Sequence, residues 1–267
     1  MSIIESIHQR RSVRNYTGEP LIKEHAEGIE NFINNLETPF GASVRINLLH
    51  TTPGEGKVKL GTYGVIGGAR DYLTLVYKEG PLVEESAAYM FEQVILYCTS
   101  LGLGTCWLGG SFSRKDFKDQ LNLQPDEKLR IVSPVGYPSE KKRLWDSIIG
   151  ADGNHSSRKP FGTLYFYKNF ATPLMEEQAG IYREPLEMVR LAPSANNKQS
   201  WRVILAENAL HFYYQKSLIG YGAIDLGIAL AHFADTCHEL NILGSFQVLP
   251  TVPQSKDTVY SISYVLI

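Results

Sequence analysis

Apolar positions along this chain follow two rhythms, one helical and one of strands. Val83, Ala87, Phe91, Val94, Ile95, Cys98 and Leu101 recur every three or four residues, which predicts a helix over 83–101. Glu84 and Glu85 suit its N-terminus, where peptide dipoles leave partial positive charge. Gly102 offers a left-handed residue to close it. The pattern returns over 224–240, with Leu226, Ala229, Leu230, Phe233, Ala234, Cys237 and Leu240 as the stripe. Asn241, the next-best left-handed residue, stands where Gly102 stood. A shorter amphipathic helix is expected at 184–191. Apolar runs predict strands at 43–48, 72–77, 129–135, 200–205, 210–214 and 258–266.

These elements come in the same order twice: helix, helix, strand, strand, helix, strand, strand. The expectation is an internal duplication with unequal halves. The first repeat, 1–165, carries an extra N-terminal helix and a longer tail; the second, 166–267, is shortened. The seam, 153–162, reads as a crossover or linker.

Composition narrows the class. The 267 residues are 43% hydrophobic and 20% charged, ordinary for a globular chain, and a net charge of −2 gives no basic excess for nucleic acid. Cys98, Cys106 and Cys237 lack any Cys-x-x-Cys spacing, so buried inert thiols are expected rather than disulfides or zinc ligands, and a reducing cytoplasm fits. The N-terminus carries Glu5 and lacks a long apolar core, so no signal peptide is expected. Residues 93–113 bear no charge, but Gly102, Gly104, Gly109 and Gly110 interrupt them. A buried helix and a glycine-rich turn are expected there, not a membrane span.

Four pieces carry candidate chemistry. The first is Arg10-Arg11-Ser12-Val13-Arg14, where Arg10 and Arg14 converge if the segment is helical and arginine forks suit phosphate oxygens. Taken alone, a solvated basic face is the plainer reading. Arg158-Lys159 before Pro160 is a second basic pair. The third is 101–110. Its Gly102-x-Gly104 hints at a dinucleotide fingerprint, but Trp107 replaces the third glycine and the run follows a helix. What remains is a run ending in Gly109-Gly110, where backbone approaches a flat ligand. The fourth is the turn Pro193-Ser194-Ala195-Asn196-Asn197-Lys198-Gln199, whose donors and acceptors suit the edge of a planar heterocycle. Other templates fail. Gly54-Glu55-Gly56-Lys57 has the wrong spacing for a P-loop, with Val58 where Ser or Thr belongs. No Gly-x-Ser-x-Gly elbow occurs, and the seven histidines show no ligand spacing.

Together the pieces resemble the nitroreductase family of FMN enzymes. The resemblance rests on Arg10/Ser12/Arg14, on Ala192 to Trp201, on Gly102 to Gly110, on Arg158-Lys159-Pro160, and on Pro134-Val135-Gly136-Tyr137-Pro138 as the family's strand ending. It implies an α+β, nitroreductase-like fold, here two unequal repeats packed as a pseudo-dimer, each a mostly antiparallel sheet with helices. In the family the polar turn follows the Arg-x-Ser-x-Arg element closely. Here that slot holds Thr38-Pro39-Phe40-Gly41-Ala42-Ser43, and the polar turn lies in the second half. Ordinary members are homodimers sharing FMN at the interface, so a fused pair with one FMN between the two halves is expected.

The resemblance also assigns roles. Arg10, Ser12, Arg158 and Lys159 would hold the phosphate and ribityl chain, with the inward one of Arg158 and Lys159 left open, and Arg11, Trp107 and Gln199 would belong to the cofactor-binding set. Arg14 would lie near the pyrimidine edge. Pro193, Ser194, Ala195 and Asn197 would contact the ring system, and the backbone of Leu108, Gly109 and Gly110 would face N5. Tyr63 and Gly64 would line the same pocket. No side chain need act as a nucleophile, and no metal is expected. NAD(P)H would donate hydride, and a nitroaromatic, quinone or similar small molecule would accept it. Gly109 stands where the family often has an acid, which motivates an alternative: a flavin-binding or storage protein with little turnover. No nucleic-acid or membrane partner is expected. A monomer suffices if the chain is its own pseudo-dimer, and further dimerisation stays open.

Overall fold

A computed structural model describes residues 1–51, 61–140, 157–216, 218 and 220–267. The 54–57 segment and residues 153–156 of the seam lie outside the described residues. The chain divides into two units. One comprises Met1, Gln9–Val83 and Met90–Asn154; the other comprises Ser2–His8, Glu84–Tyr89 and His155–Ile267.

In the first unit, Val44–His50 (β1), Asp71–Lys78 (β2), Gly104–Thr105 (β3) and Glu127–Gly136 (β4) form an antiparallel sheet in the order β1-β2-β4-β3. Seven consecutive residues of β2 are buried, which is why its apolar and aromatic residues do not alternate with polar ones. Tyr72 and Val76 of β2 pack with Leu129 and Val132 of β4 and with Phe117 and Leu121 of helix α4 (Arg114–Leu121). Helix α1 spans Ile3–Gln9 and α2 spans Lys23–Asn34.

In the second unit, Tyr165–Tyr167 (β5), Trp201–Ala206 (β6), Ala209–Gln215 (β7), Gly244–Gln247 (β8) and Thr258–Leu266 (β9) form a sheet in the order β5-β6-β7-β9-β8. Only the β5–β6 pairing is parallel. The order β6-β7-β9-β8 reproduces β1-β2-β4-β3. The register slips at the matching place in both sheets: between Leu75 and Val76, passing over Arg130, and between Phe212 and Tyr213, passing over Ser261. Helices of this unit are α5 (Phe161–Leu164), α6 (Arg183–Leu191) and α7 (Gly222–Glu239). Phe233 of α7 meets the rings of Phe212 and Tyr264 edge-on, each at 5.1 Å.

The two long helices end as their sequences predict. Helix α3 (Val83–Ser100) closes with Gly102 at φ 75°; the Gly102 N–H donates to Thr99 O and the Leu103 N–H to Cys98 O. After α7, Asn241 sits at φ 57°, its N–H donating to His238 O while that of Ile242 donates to Cys237 O. Both are the paired closure that satisfies terminal carbonyls. The predicted one-sided stripes are too narrow. Helix α3 also buries Glu85 and Glu92, α7 also buries Asp225 and His232, and Leu240 at the end of the second stripe is exposed. Both helices are covered nearly all round, so charged groups on them must find internal partners.

Candidate functional site

In the first unit, the Arg10–Arg14 segment is not helical. Helix α1 ends at Gln9, Ser12 forms a bridge with Thr105, and the Val13 N–H donates to Thr105 O at 2.8 Å. Arg10 and Arg14 therefore do not share a helical face, because the condition for it, a helix through 10–14, is not met. Chain pairing with β3 outweighed the local helical preference. The close approach also explains Gly104, since a Cβ there would stand 2.7 Å from Val13 Cβ.

Arg10 is 4% exposed, and its Nε lies 3.9 Å from Glu92 Oε1. Glu92 Oε2 accepts the Trp107 indole N–H at 2.7 Å. Burial lowers the Arg10 pKa, and Glu92 opposes that shift. Arg11 is exposed; Ser12 and Arg14 are half-buried. The Ser12 hydroxyl is hydrogen-bonded to Cys106, whose thiol burial pushes up despite Arg14 and Arg10 nearby. Burial likewise pushes Cys98 and Cys237 up to about 12, so all three thiols stay protonated at neutral pH.

Along the glycine-rich run, Leu108 exchanges both backbone bonds with Val132, at 2.9 and 3.1 Å, and its side chain joins the apolar cluster. Its amide is thus committed to the sheet. Gly109 O accepts from Arg114, while a Cβ on exposed Gly110 would meet nothing within 4 Å. Trp107 is half-buried against Phe91, ring centroids 4.9 Å apart. Tyr63, 72% exposed at φ 47°, and Gly64 at φ 79° form a surface turn.

In the second unit, two pieces far apart in sequence meet. Arg158 Nη1 donates to Asn197 Oδ1 at 2.7 Å, and Nη2 donates to Leu191 O at the end of α6 at 2.8 Å. The Lys159 N–H donates to Gln199 Oε1 at 2.7 Å, and its ammonium donates to Lys198 O at 2.6 Å. Burial and neighbouring Arg202 both lower the Lys159 pKa. Both basic side chains thus engage the polar turn.

The turn itself is left-handed at Asn196, Asn197 and Gln199, with φ of 51°, 54° and 47°. Three such residues without glycine cost energy, and local side-chain bonds offset it. Gln199, 1% exposed, donates from Nε2 to Asn197 O and Oδ1, both at 3.1 Å; Asn197 Nδ2 donates to Ser157 Oγ at 2.8 Å. Ser194 Oγ accepts the Gln199 N–H at 2.8 Å. Much of the hydrogen bonding expected to meet a heterocycle is spent on holding the turn. Pro193, Ser194 and Ala195 are half-buried, and Asn197 is exposed.

Two residues that hold this cluster escaped the sequence reading. Asp225, in the first turn of α7, accepts the Ala195 N–H at 2.8 Å and the Ser200 hydroxyl at 3.1 Å. Buried Arg202 donates to Gln199 O at 3.0 Å, to Trp201 O at 2.5 Å and to Gln215 Oε1 at 2.8 Å. A lone acid inside the apolar run of 222–231 was the available signal for Asp225.

Burial pushes the Asp225 pKa up from 3.8 to about 6, against the two hydrogen bonds and Lys198, which lower it. A raised folded-state pKa means the folded chain holds this proton more tightly than the unfolded chain. The stability contribution is full below pH 3.8 and is lost as pH rises through about 6. Asp225→Asn is expected to flatten that fall, removing a pH dependence on the order of 2 kcal/mol. Urea unfolding at pH 4 and pH 7.5 measures it, and parallel curves for variant and parent would refute it.

Among the described residues, no group of three or more His, Cys, Asp or Glu could hold a metal ion, and no helix is long and apolar enough to cross a membrane.

A family profile described as Putative TM nitroreductase matches residues 2–236. The structure resembles one described as a putative nitroreductase from Thermotoga maritima, covering 100% of this chain and 94% of that chain at 21% identity, with a TM-score of 0.63. That likeness establishes a shared fold. A nitroreductase family protein from Clostridium difficile is similar over 61% of this chain and 96% of its own, at 18% identity and a TM-score of 0.47. A structure described as a putative nitroreductase in complex with FMN, from Desulfovibrio desulfuricans, is similar over 54% of this chain and 94% of its own, at 20% identity and a TM-score of 0.43. No curated protein matches.

Proposed function

The chain belongs to the Putative TM nitroreductase family, and on that premise we propose that it is an FMN-dependent oxidoreductase that passes hydride from NAD(P)H to a nitroaromatic, quinone or similar acceptor. The observation that carries the reading is the meeting of Arg158 and Lys159 with Asn197 and Gln199, two motifs far apart in sequence.

The residues fit a flavin phosphate. The hydrogen bonds of the Lys159 ammonium go to carbonyl oxygens, so an anion there would meet a cation whose bonded partners carry no charge. In the first unit, half-buried Ser12 and Arg14 are the members of the basic segment suited to a ligand, since Arg10 is engaged by Glu92. When bound, FMN would supply the hydride chemistry. The chain's part would be to hold the phosphate with Lys159 and Arg158, to place positive charge from Arg14, and to admit a flat ring against the bare backbone of Gly110. No side chain need form a bond to substrate, and water can supply the proton.

The two sheets share their strand order and register slip, which supports reading them as unequal repeats of one unit. Arg10-x-Ser12-x-Arg14 and the Pro193–Gln199 turn each occur once, so the expected ratio is one FMN per chain. Purified protein should be yellow with a ratio near one, and should bleach rapidly with NADH or NADPH under anaerobic conditions. A ratio near two would break the single-site count. Gly109, where the family often carries an acid, favours a second reading, flavin storage, which predicts yellow protein that neither donor bleaches. Colourless protein that takes up no added FMN would refute both.

A further inference from the structure

Where β6 begins and β7 ends, Lys198, Ser200, Gln215, Lys216 and Asp257 line a cleft of about 330 Å³ within the second unit. None of the five belongs to the flavin-binding set proposed above. We propose that this cleft binds a phosphorylated ribose, with its phosphoryl group on Lys198 and Lys216 and a ribose hydroxyl on Asp257.

The charge around the cleft is unbalanced. Arg202, 8% exposed, underlies it, and its three hydrogen-bond acceptors are two carbonyls and an amide oxygen. Lys159 stands next to it, donating to Lys198 O. Among the described residues, none of Lys159, Lys198, Arg202 and Lys216 forms an ion pair with a carboxylate. Asp257 lines the cleft, and Asp225 accepts the Ser200 hydroxyl. Buried positive charge on neutral acceptors raises the local potential and attracts anions.

The donors are also oriented. Arg202 takes Gln215 Oε1, so the Nε2 amide hydrogens are what Gln215 offers. Lys216 gives one ammonium hydrogen to Lys256 O at 2.8 Å and keeps two. Ser200 donates to Asp225, so it offers lone pairs, as does Asp257. The lining thus offers donors from Lys198, Lys216 and Gln215 and acceptors from Ser200 and Asp257, which suits a ligand that carries both an anionic group and hydroxyls.

Two sources share this chemistry: the 2′-phosphoribose of NADPH and a free sugar phosphate. Isothermal titration of the full-length purified chain with 2′-phospho-ADP-ribose and with ribose 5-phosphate separates them. Binding of the first alone assigns the cleft to the nicotinamide donor, and binding of ribose 5-phosphate assigns it to a sugar phosphate. Lys198→Gln with Lys216→Gln should weaken the bound compound by about tenfold or more, from the loss of charge-assisted bonds. Asp257→Asn should weaken it as well. Failure of both compounds to bind, or equal affinity in the double variant, overturns the site. Visible absorption of the same samples reports flavin content, so failure of the FMN reading shows separately.

Discussion

Glu92→Ala is expected to lower the unfolding free energy by about 3–5 kcal/mol, the usual result of breaking a buried ion pair from one side. Glu92 is fully buried and Arg10 is 4% exposed. Removing the carboxylate leaves the guanidinium out of water with its nearest negative charge gone. It also removes the oxygen that accepts the Trp107 indole N–H at 2.7 Å. Glu92→Gln keeps an acceptor for Trp107 and should lose less. Arg10→Met combined with Glu92→Leu removes both charges and should recover much of the loss, because an apolar pair carries no desolvation cost. Urea denaturation of the four chains tests this. A Glu92→Ala midpoint equal to the parent's would mean that the pair contributes nothing. The same geometry shapes any test of flavin binding: Arg10→Ala would remove the buried cation beside Glu92 and lower stability along with any effect on a ligand. Arg14→Ala is the cleaner substitution.

Gly227→Ala should destabilise the chain, although alanine ordinarily improves a helix by about 1 kcal/mol over glycine. A Cβ at 227 would stand 2.3 Å from Glu85 O and 2.8 Å from Ala88 Cβ. One of these neighbours is backbone, so no side-chain rotation relieves the clash. The first turn of α3 and the body of α7 must move apart, disturbing the bond from the Ser261 hydroxyl to buried Glu85 at 2.9 Å. Overpacking of this kind costs about 1–3 kcal/mol. Thermal unfolding followed by circular dichroism gives the sign, and a variant melting at or above the parent temperature would refute the prediction.

The sequence showed features whose cause is local. Gly102 and Asn241 marked helix ends because residue type controls access to the left-handed region. The six longer strands were visible as apolar runs; the short strands Gly104–Thr105, Tyr165–Tyr167 and Gly244–Gln247, and the strand order of each sheet, were not. The candidate site was legible as four separate pieces. Its connections were not: Ser12 meets Thr105, and Lys159 meets Gln199, through pairings between distant segments. The Arg10–Arg14 spacing brings the two side chains together only in a helix, and the chain here runs beside β3. Asp225, Arg202 and Glu92 stayed hidden for a related reason. Periodicity reports how apolar a position should be, and these buried charges depart from it for partners elsewhere in the chain. The amide groups of the 193–199 turn were legible as polar chemistry, but whether they face a ligand or one another depends on left-handed geometry at three non-glycine residues.

The partition of the chain has a consequence for its ancestry and its handling. The second unit takes Ser2–His8 and Glu84–Tyr89 from the territory of the first. No single cut yields two self-sufficient pieces: a fragment beginning at Ser157 would lack both loans, and the complementary fragment would carry them as orphaned helical turns. If two separate genes were once joined here, the joint has since become irreversible. The first half of the chain now holds two parts that the second unit needs, so the length of the chain, not only its two sheets, is what must be inherited together.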